Sequence, residues 1–216
     1  MKYTERAFET RTTVAFRELT LEIFTGDGIC TEFIQDEVES VENFSQLLQH
    51  NVFGRSQVVL ASQKEVTCIQ SQTIDVIRIH AVALPRIMLP DQVLDIVESS
   101  PDETGRGDED FDSVETQVDG HTPILPRVEI HTFGGWVVYL RMKVLPRPTI
   151  QDERHFLAHF FEQPVIPFRL RTGGIGLINP ARISRVTFNP TLDVLANTLR
   201  ASFLKSTHPQ NGLDRC

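Results

Sequence analysis

The sequence predicts an α+β fold that is mainly β, built from two tandem pseudo-repeats and a C-terminal helix. Short runs that alternate apolar and polar residues, separated by glycine-containing turns, are typical of antiparallel strands. The order of these runs recurs on both sides of a strongly acidic segment. Each pseudo-repeat is predicted as strand, strand, helix, strand, strand, strand, in a small curled sheet or a barrel-like form.

Each pseudo-repeat begins with a predicted hairpin. Residues 21–35 read "LEIFTGDGICTEFIQ" and residues 128–142 read "VEIHTFGGWVVYLRM", with four identities in fifteen positions when aligned without a gap. Gly28 and Gly135 share one column of this alignment, and glycine readily adopts the positive φ that tight hairpin turns need. The two segments are therefore predicted to form the same strand-turn-strand unit.

The second half of each pseudo-repeat shows the same correspondence. Residues 66–79, "VTCIQSQTIDVIRI", lie against residues 175–188, "IGLINPARISRVTF", at an offset of 109, whereas the hairpins are offset by 107. A predicted helical segment separates the blocks in both copies, at 41–50 and at 152–163. Generic strands share a period of two, so chance similarity is the alternative. The agreement in order and spacing favours duplication.

An acidic segment between the copies is predicted to be a linker. Residues 98–120 carry nine acidic residues against the single Arg106, and the rest of the chain is electrically neutral. Such composition disfavours a packed core. A calcium loop is not predicted, because its sixth and twelfth positions need Gly and Glu. The predicted organisation is a first module with an apolar, proline-broken tail (1–97), the linker (98–120), a second module (121–189), and a C-terminal amphipathic helix and tail (190–216).

The C-terminal segment is predicted to contain an amphipathic helix of about four turns. Asn189 is a plausible N-cap and Pro190 suits the first helical position. An apolar stripe recurs at helical spacing and either packs on its own module or docks in a groove of a partner. The candidate interface residues on this stripe are Leu192, Leu195, Leu199 and Phe203.

The second copy resembles small bacterial β-rich domains of unknown function. The segments that carry the resemblance are "VLPRPTIQDERHFLAHFFEQP" and "FRLRTGGIGLINPARISRVTF", within residues 127–189. The first copy, residues 18–80, lacks the proline-rich bend and has Ile-Gln-Ser-Gln where the second has Leu-Ile-Asn-Pro. The resemblance implies a fold and no established chemistry.

No catalytic set or cofactor motif is predicted. His155 and His159 lie four residues apart on the predicted helix with Glu162 on the same stripe, a spacing that could hold a metal. The zinc-protease signature is missing, and such a stripe is also typical of the solvated face of a helix that packs its phenylalanines on a sheet. Cys30 and Cys68 lie in apolar alternation and are predicted to be reduced, buried strand residues.

The charge distribution disfavours nucleic acid as a partner. The net charge is −8 and the isoelectric point is about 5.4, so the basic patch that phosphate binding requires is not expected. Arg141, Lys143 and Arg147 alternate along one predicted strand and are interpreted as a charged, solvated strand edge. No run of residues is apolar enough for membrane insertion, and a cytoplasmic location is expected.

Three functions remain open from the sequence. The first is a non-catalytic accessory or assembly subunit that binds other protein subunits, including those of a larger complex at a membrane face reached through a protein partner. The second is a sensor that binds a small ligand or nucleotide in the cleft between the copies. The third is a metal-dependent enzyme that uses His155 and His159.

Overall fold

The computed structural model describes residues 19–35, 52–61, 65–81, 89, 93–101, 123–145 and 160–189. Within these ranges the chain is mainly β, with very little helix, as the sequence predicted. The helical residues among them are 160–162, at the end of the segment predicted as the second helix, and two short 3-10 turns at Ser71–Thr73 and Pro180–Arg182. The strands are β1 (Leu19–Thr25), β2 (Cys30–Gln35), β3 (Gln57–Ala61), β4 (Val66–Gln70), β5 (Ile74–Ala81), β6 (Val93–Glu98), β7 (Arg127–Thr132), β8 (Val137–Val144), β9 (Ile166–Arg169), β10 (Ile175–Ile178) and β11 (Ile183–Asn189).

Nine of the described strands form one mixed sheet in the order β11-β7-β8-β6-β9-β10-β5-β1-β2. All neighbours are antiparallel except β6 and β9, which are parallel. The hairpin β3–β4 forms a second sheet of two strands, called here the ribbon. One sheet therefore contains strands from both predicted modules.

Two tight turns have the glycine geometry that the sequence predicted, and a third turn shares it. Gly28, between β1 and β2, has φ of 79°, and Gly135, between β7 and β8, has φ of 84°. The turn between β9 and β10 contains Gly173 and Gly174, with φ of 90° and 109°. L-amino acids with a Cβ rarely adopt this region, which explains the glycines in all three turns.

The described residues between 19 and 101 are called here the first half, and those between 123 and 189 the second half. Each half attaches its first hairpin turn to its own 3-10 turn in the same way. The backbone N–H of Gly26 donates to the carbonyl of Thr73 at 2.8 Å in the first half. In the second half the N–H of Phe133 donates to the carbonyl of Arg182 at 2.9 Å. These residues occupy matching columns of the internal alignment, and within each half the strand after the 3-10 turn pairs with the first strand of the hairpin.

The halves are joined at two places in the sheet. Strand β10 pairs with β5, so that Leu177 lies opposite Ile77. Strand β6, from the tail of the predicted first module, lies between β8 and β9 of the second half. It extends through Glu98, which the sequence placed in the linker. Residues 102–120, the helical segment at 41–50 and the C-terminal helix lie outside the described residues, so their predictions stay predictions.

Buried side chains form two hydrophobic clusters. The first lies mainly on strands of the second half, with Phe24, Val76, Val93 and Ile96 contributed by the first half. The second lies on β1, β5 and β10, with Val58 of the ribbon packed onto it. Strand β10 contributes to both clusters, since Leu177 belongs to the second and Ile178 to the first. Such two-sided burial is expected of an interior strand covered on both faces.

The interpretation of Arg141 and Lys143 as a solvated strand edge is wrong. Both residues lie on β8, which is paired with β7 on one side and β6 on the other, and both are buried. Alternation of basic residues reports one face of a strand but not the position of that strand within a sheet. Separately, no helix in the described ranges is long and apolar enough to cross a membrane.

Candidate functional site

The strongest polar cluster in the described structure lies where the turns of the two halves meet. Asp75, on β5, is completely buried. Its Oδ2 accepts hydrogen bonds from Thr132 Oγ1 at 2.8 Å and from the backbone N–H of Gly134 at 2.9 Å. Its Oδ1 accepts from Arg182 Nε at 2.7 Å, which also forms an ion pair. A buried carboxylate requires such partners, so Asp75 joins β5 to two turns of the second half.

Two glycines allow these turns to approach one another. A Cβ on Gly134 would overlap Asp75 Oδ2, and would lie 2.7 Å from Gly26 Cα and 3.1 Å from the Thr25 carbonyl oxygen. Real Cβ atoms essentially never come closer than 3.0 Å to another heavy atom. The side chain of Trp136 closes the same contact, because its Nε1–H donates to the Thr25 carbonyl at 2.9 Å. The junction is therefore a close backbone-to-backbone contact.

Arg182 is held at this junction with part of its donor capacity unused. Its Nε is bonded to Asp75, and its guanidinium lies 5.6 Å from the centroid of the Phe133 ring. The Nη groups make no hydrogen bond within the described part of the chain, and one of them lies beside Gly26. Because the side chain remains about one quarter exposed, these groups can reach a ligand.

A pocket of about 370 Å³ opens beside Arg182. Its size falls within the range of small-molecule sites, and it lies between residues of the first half and Arg182 of the second. Its walls combine apolar, hydroxyl and charged groups. The lining residues are Thr25, Gly26, Asp27, Cys68, Ile69, Gln70, Thr73 and Arg182.

Asp27 brings a negative charge to the rim of the pocket. Thr25 Oγ1 donates a hydrogen bond to Asp27 Oδ1 at 2.5 Å, and the backbone N–H of Ile29 lies 3.3 Å from the same oxygen. The hydroxyl bond is the main reason that the pKa of Asp27 lies below its usual value, with the backbone bond adding to it. The carboxylate is therefore ionised at neutral pH, and the pocket contains opposite charges from Asp27 and Arg182.

The outer face of the ribbon adjoins the pocket. Val59 and Cys68 are directly opposite one another across β3 and β4, and Val66 lies two residues before Cys68 on the same face. Val59 is 50% exposed and Val66 is 64% exposed. Cys68 is exposed as well, so its predicted burial is wrong. The prediction for Cys30 is also wrong, because that residue is only partly buried and is disulfide-bonded. The opposite face of the ribbon carries Val58, and its burial directs Cys68 to solvent.

A charged cluster links strands β1, β5 and β6 of the first half. Arg78, on β5, forms ion pairs with Glu22 on β1 at 3.8 Å and with Glu98 on β6. His80 Nε2 lies 3.1 Å from Glu22 Oε2, but the two atoms are not aligned for a hydrogen bond. That contact is therefore electrostatic and depends on protonation of the imidazole. The cluster holds β5 to its neighbours but faces no pocket identified in the described residues.

The structure describes only one of the three predicted metal ligands. His155 and His159 lie outside the described residues, and Glu162 is exposed at the end of the helical segment. Within the described ranges no three His, Cys, Asp or Glu side chains lie close enough to bind a metal ion together. Phe160 is buried, as predicted, whereas Phe161 is 37% exposed. The interface candidates Leu192, Leu195, Leu199 and Phe203 lie outside the described residues.

Sequence reasoning did not identify Asp75, Arg182 or Trp136. A signal for Asp75 was present, because it is the one acidic residue in the apolar stretch 74–79. A carboxylate in a strand that is buried on both faces needs a cationic or hydrogen-bonding partner. No local pattern points to Arg182 as that partner, since it lies 107 residues later.

Comparison with known proteins gives no relative for this architecture. No family model, curated protein or solved structure matches the chain.

Proposed function

We propose that the chain is a non-catalytic accessory or assembly subunit that binds other protein subunits. The observation that carries this proposal is the outer face of the ribbon, where Val59, Val66 and Cys68 are exposed together. Adjacent exposed apolar side chains on one strand face favour a protein interface.

The ribbon is suited to docking because its other face is anchored. Val58 is buried in the second hydrophobic cluster, with Leu60 and Ile69 packed against it. The orientation of the outer face is thus set before a partner arrives, which lowers the entropy that binding must overcome.

The pseudo-repeat belongs to the same proposal. The matched turns, the matching bonds Gly26–Thr73 and Phe133–Arg182, and the equivalent strand pairs support a duplicated scaffold. Duplication is consistent with a role in assembly, since two related units present two related surfaces. The C-terminal helix and the acidic linker are proposed to extend these surfaces.

The cellular setting is also proposed. We place the subunit in the cytoplasm, within a larger complex that can lie at a membrane face through a protein partner. Cell fractionation with detergent and high-salt washes tests this placement. Release of the subunit by high salt is expected for attachment through another protein, and release by detergent alone would contradict it.

Co-purification from the native cell tests protein binding. The double variant Val59→Glu/Val66→Glu should remain folded, because both side chains are exposed, and should lose its partner because the new charges would have to be desolvated. Thr187→Glu, at an exposed position on β11, is the matched control and should retain the partner.

A parallel variant, Leu195→Glu/Leu199→Glu, tests the predicted helix stripe. Partner loss in this variant alone would move the interface from the ribbon to the C-terminal helix. Wild-type protein that repeatedly purifies without any stoichiometric protein would refute the accessory-subunit proposal.

A second function, a sensor that binds a small ligand, is favoured by the pocket beside Arg182. The pocket is bounded by both halves, so a ligand there would contact the Gly26 turn and the guanidinium together. A thermal-shift screen with amino acids, organic acids, amines and nucleotides tests this candidate, since a ligand selective for the folded state raises the unfolding temperature. The metal-dependent enzyme gains no support from a described contact.

A further inference from the structure

We infer that the pocket beside Arg182 binds a small zwitterion, a free α-amino acid with an apolar side chain. This inference rests on the proposed ligand-sensor function and names its ligand class. It is carried by two opposite charges and apolar residues around one cavity, which is lined by Asp27, Arg182, Cys68 and Ile69 among other residues.

Arg182 is the group that would receive the carboxylate of the ligand. Its Nε bond to Asp75 and its position over the Phe133 ring hold the guanidinium plane. The Nη groups make no hydrogen bond within the described part of the chain. A planar, pre-positioned guanidinium matches a carboxylate better than a flexible ammonium would.

Asp27 is the group that would receive the ammonium of the ligand. The bond from Thr25 Oγ1 orients its carboxylate and lowers its pKa, which keeps it ionised at neutral pH. An α-amino acid carries a positive ammonium and a negative carboxylate at that pH. The ligand therefore matches both charges of the pocket with no excess charge of its own.

The size of the pocket and its apolar lining determine which side chain the ligand can carry. A volume of 370 Å³ corresponds to a width of about 9 Å for a sphere, which is enough for a small amino acid. Two apolar residues of β4, Cys68 and Ile69, are part of the lining, and their side chains leave the ribbon on opposite faces. A branched aliphatic side chain would remove this apolar lining from water.

The same charges disfavour a nucleotide. The described lining contains one cation, Arg182, whose Nη groups can receive one anionic group but not a chain of phosphates. Asp27 adds a negative charge at the rim. A polyphosphate would meet repulsion without a second cation to offset it, which reduces its affinity. Within the ligand-sensor class, an amino acid is thus favoured over the nucleotide.

Calorimetric titration of the full chain distinguishes these ligands. We expect L-leucine to bind, and its two single-charge analogues, isoamylamine and 4-methylpentanoate, to bind at least about tenfold more weakly, because each leaves one charged hydrogen bond unmade. ATP is the polyanionic comparison and is expected not to compete with leucine.

Two variants locate the binding site. Asp27→Asn should weaken leucine binding by about tenfold or more while leaving the affinity for 4-methylpentanoate unchanged or higher. Glu32→Gln removes an exposed acid on β2 that does not line the pocket, and should leave leucine binding unchanged. Equal effects of the two variants would refute the assignment of Asp27.

The outcomes separate the ligand class from the sensor function. Binding of ATP, or of either analogue as tightly as leucine, would overturn the zwitterion inference and keep the sensor. Absence of binding by every ligand in the broader thermal-shift screen would overturn both.

Discussion

Replacing Asp75 with asparagine should destabilise the protein far more than an equivalent change in a surface ion pair. The asparagine oxygen can still accept from Thr132 and Gly134, which both bond one carboxylate oxygen of Asp75. The asparagine amide then faces Arg182 Nε, so that two donors oppose each other and the guanidinium loses its counter-charge.

The expected change in the free energy of unfolding depends on how deeply Asp75 and Arg182 are each buried. A hydrogen bond to a charged group contributes about 1.5–3 kcal/mol, and loss of one partner of a buried ion pair costs about 3–5 kcal/mol. Arg182 is 26% exposed and can turn partly to water, whereas Asp75 is fully buried. We therefore expect the free energy of unfolding to fall by about 2–4 kcal/mol, and the midpoint temperature by about 5–15 °C for a chain of this size.

Urea unfolding followed by tryptophan fluorescence measures this change, because Trp136 lies at the same junction. Asp95→Asn is the matched control, since Asp95 pairs with Arg169 and both side chains are partly exposed. Its cost should stay below about 1 kcal/mol. If Asp75→Asn destabilises the protein no more than Asp95→Asn does, the buried carboxylate is not what holds the halves together.

Three further changes test other contacts. Gly176→Ala should cost about 1–3 kcal/mol in urea unfolding because the added Cβ would overlap the buried ring of Phe168, and a neutral result would contradict that packing. Trp136→Phe should cost about 2 kcal/mol in urea unfolding followed by circular dichroism, because this variant lacks the single tryptophan, through a smaller core ring and the lost bond to the Thr25 carbonyl. Thr25→Val should raise the pKa of Asp27 in a carboxyl NMR titration, since the hydroxyl is the main cause of its lowering. Because the pKa of Asp27 is lowered in the folded state, Asp27 stabilises the protein at any pH above its unfolded-state pKa. This stabilisation is lost as the pH falls through the folded-state pKa. The variant lacks most of it and should therefore lose less stability over that acidic range.

Local features of the fold were predictable because they depend on neighbouring residues. Alternation identified the strands, and Gly28 and Gly135 marked turns because only a residue without Cβ readily accepts their positive φ. The correspondence between residues 66–79 and 175–188 also led to matching elements, in each case a strand, a 3-10 turn and a strand. The 3-10 turns themselves were not predicted, since three residues carry no periodic signal.

The candidate site was less predictable, because its charged residues come from distant parts of the chain. A ligand in the cleft between the copies was one of three functions left open by the sequence, and the charged residues of that cleft were not named. Asp27 could be read as part of a turn, yet nothing near it indicates a guanidinium from residue 182. Cys68 was misassigned because strand alternation does not tell which face of a ribbon meets the core.

The sequence by itself determined the mainly-β class and the glycine turns, because φ preferences and side-chain alternation act over a few residues. Tertiary structure alone decided that β6 lies between β8 and β9 and that Asp75 meets Arg182. Strand pairing uses backbone groups that nearly every residue possesses, so the choice of partner depends on how all the strands bury their apolar faces together. The pocket and its opposite charges exist because that collective packing brings distant turns into contact.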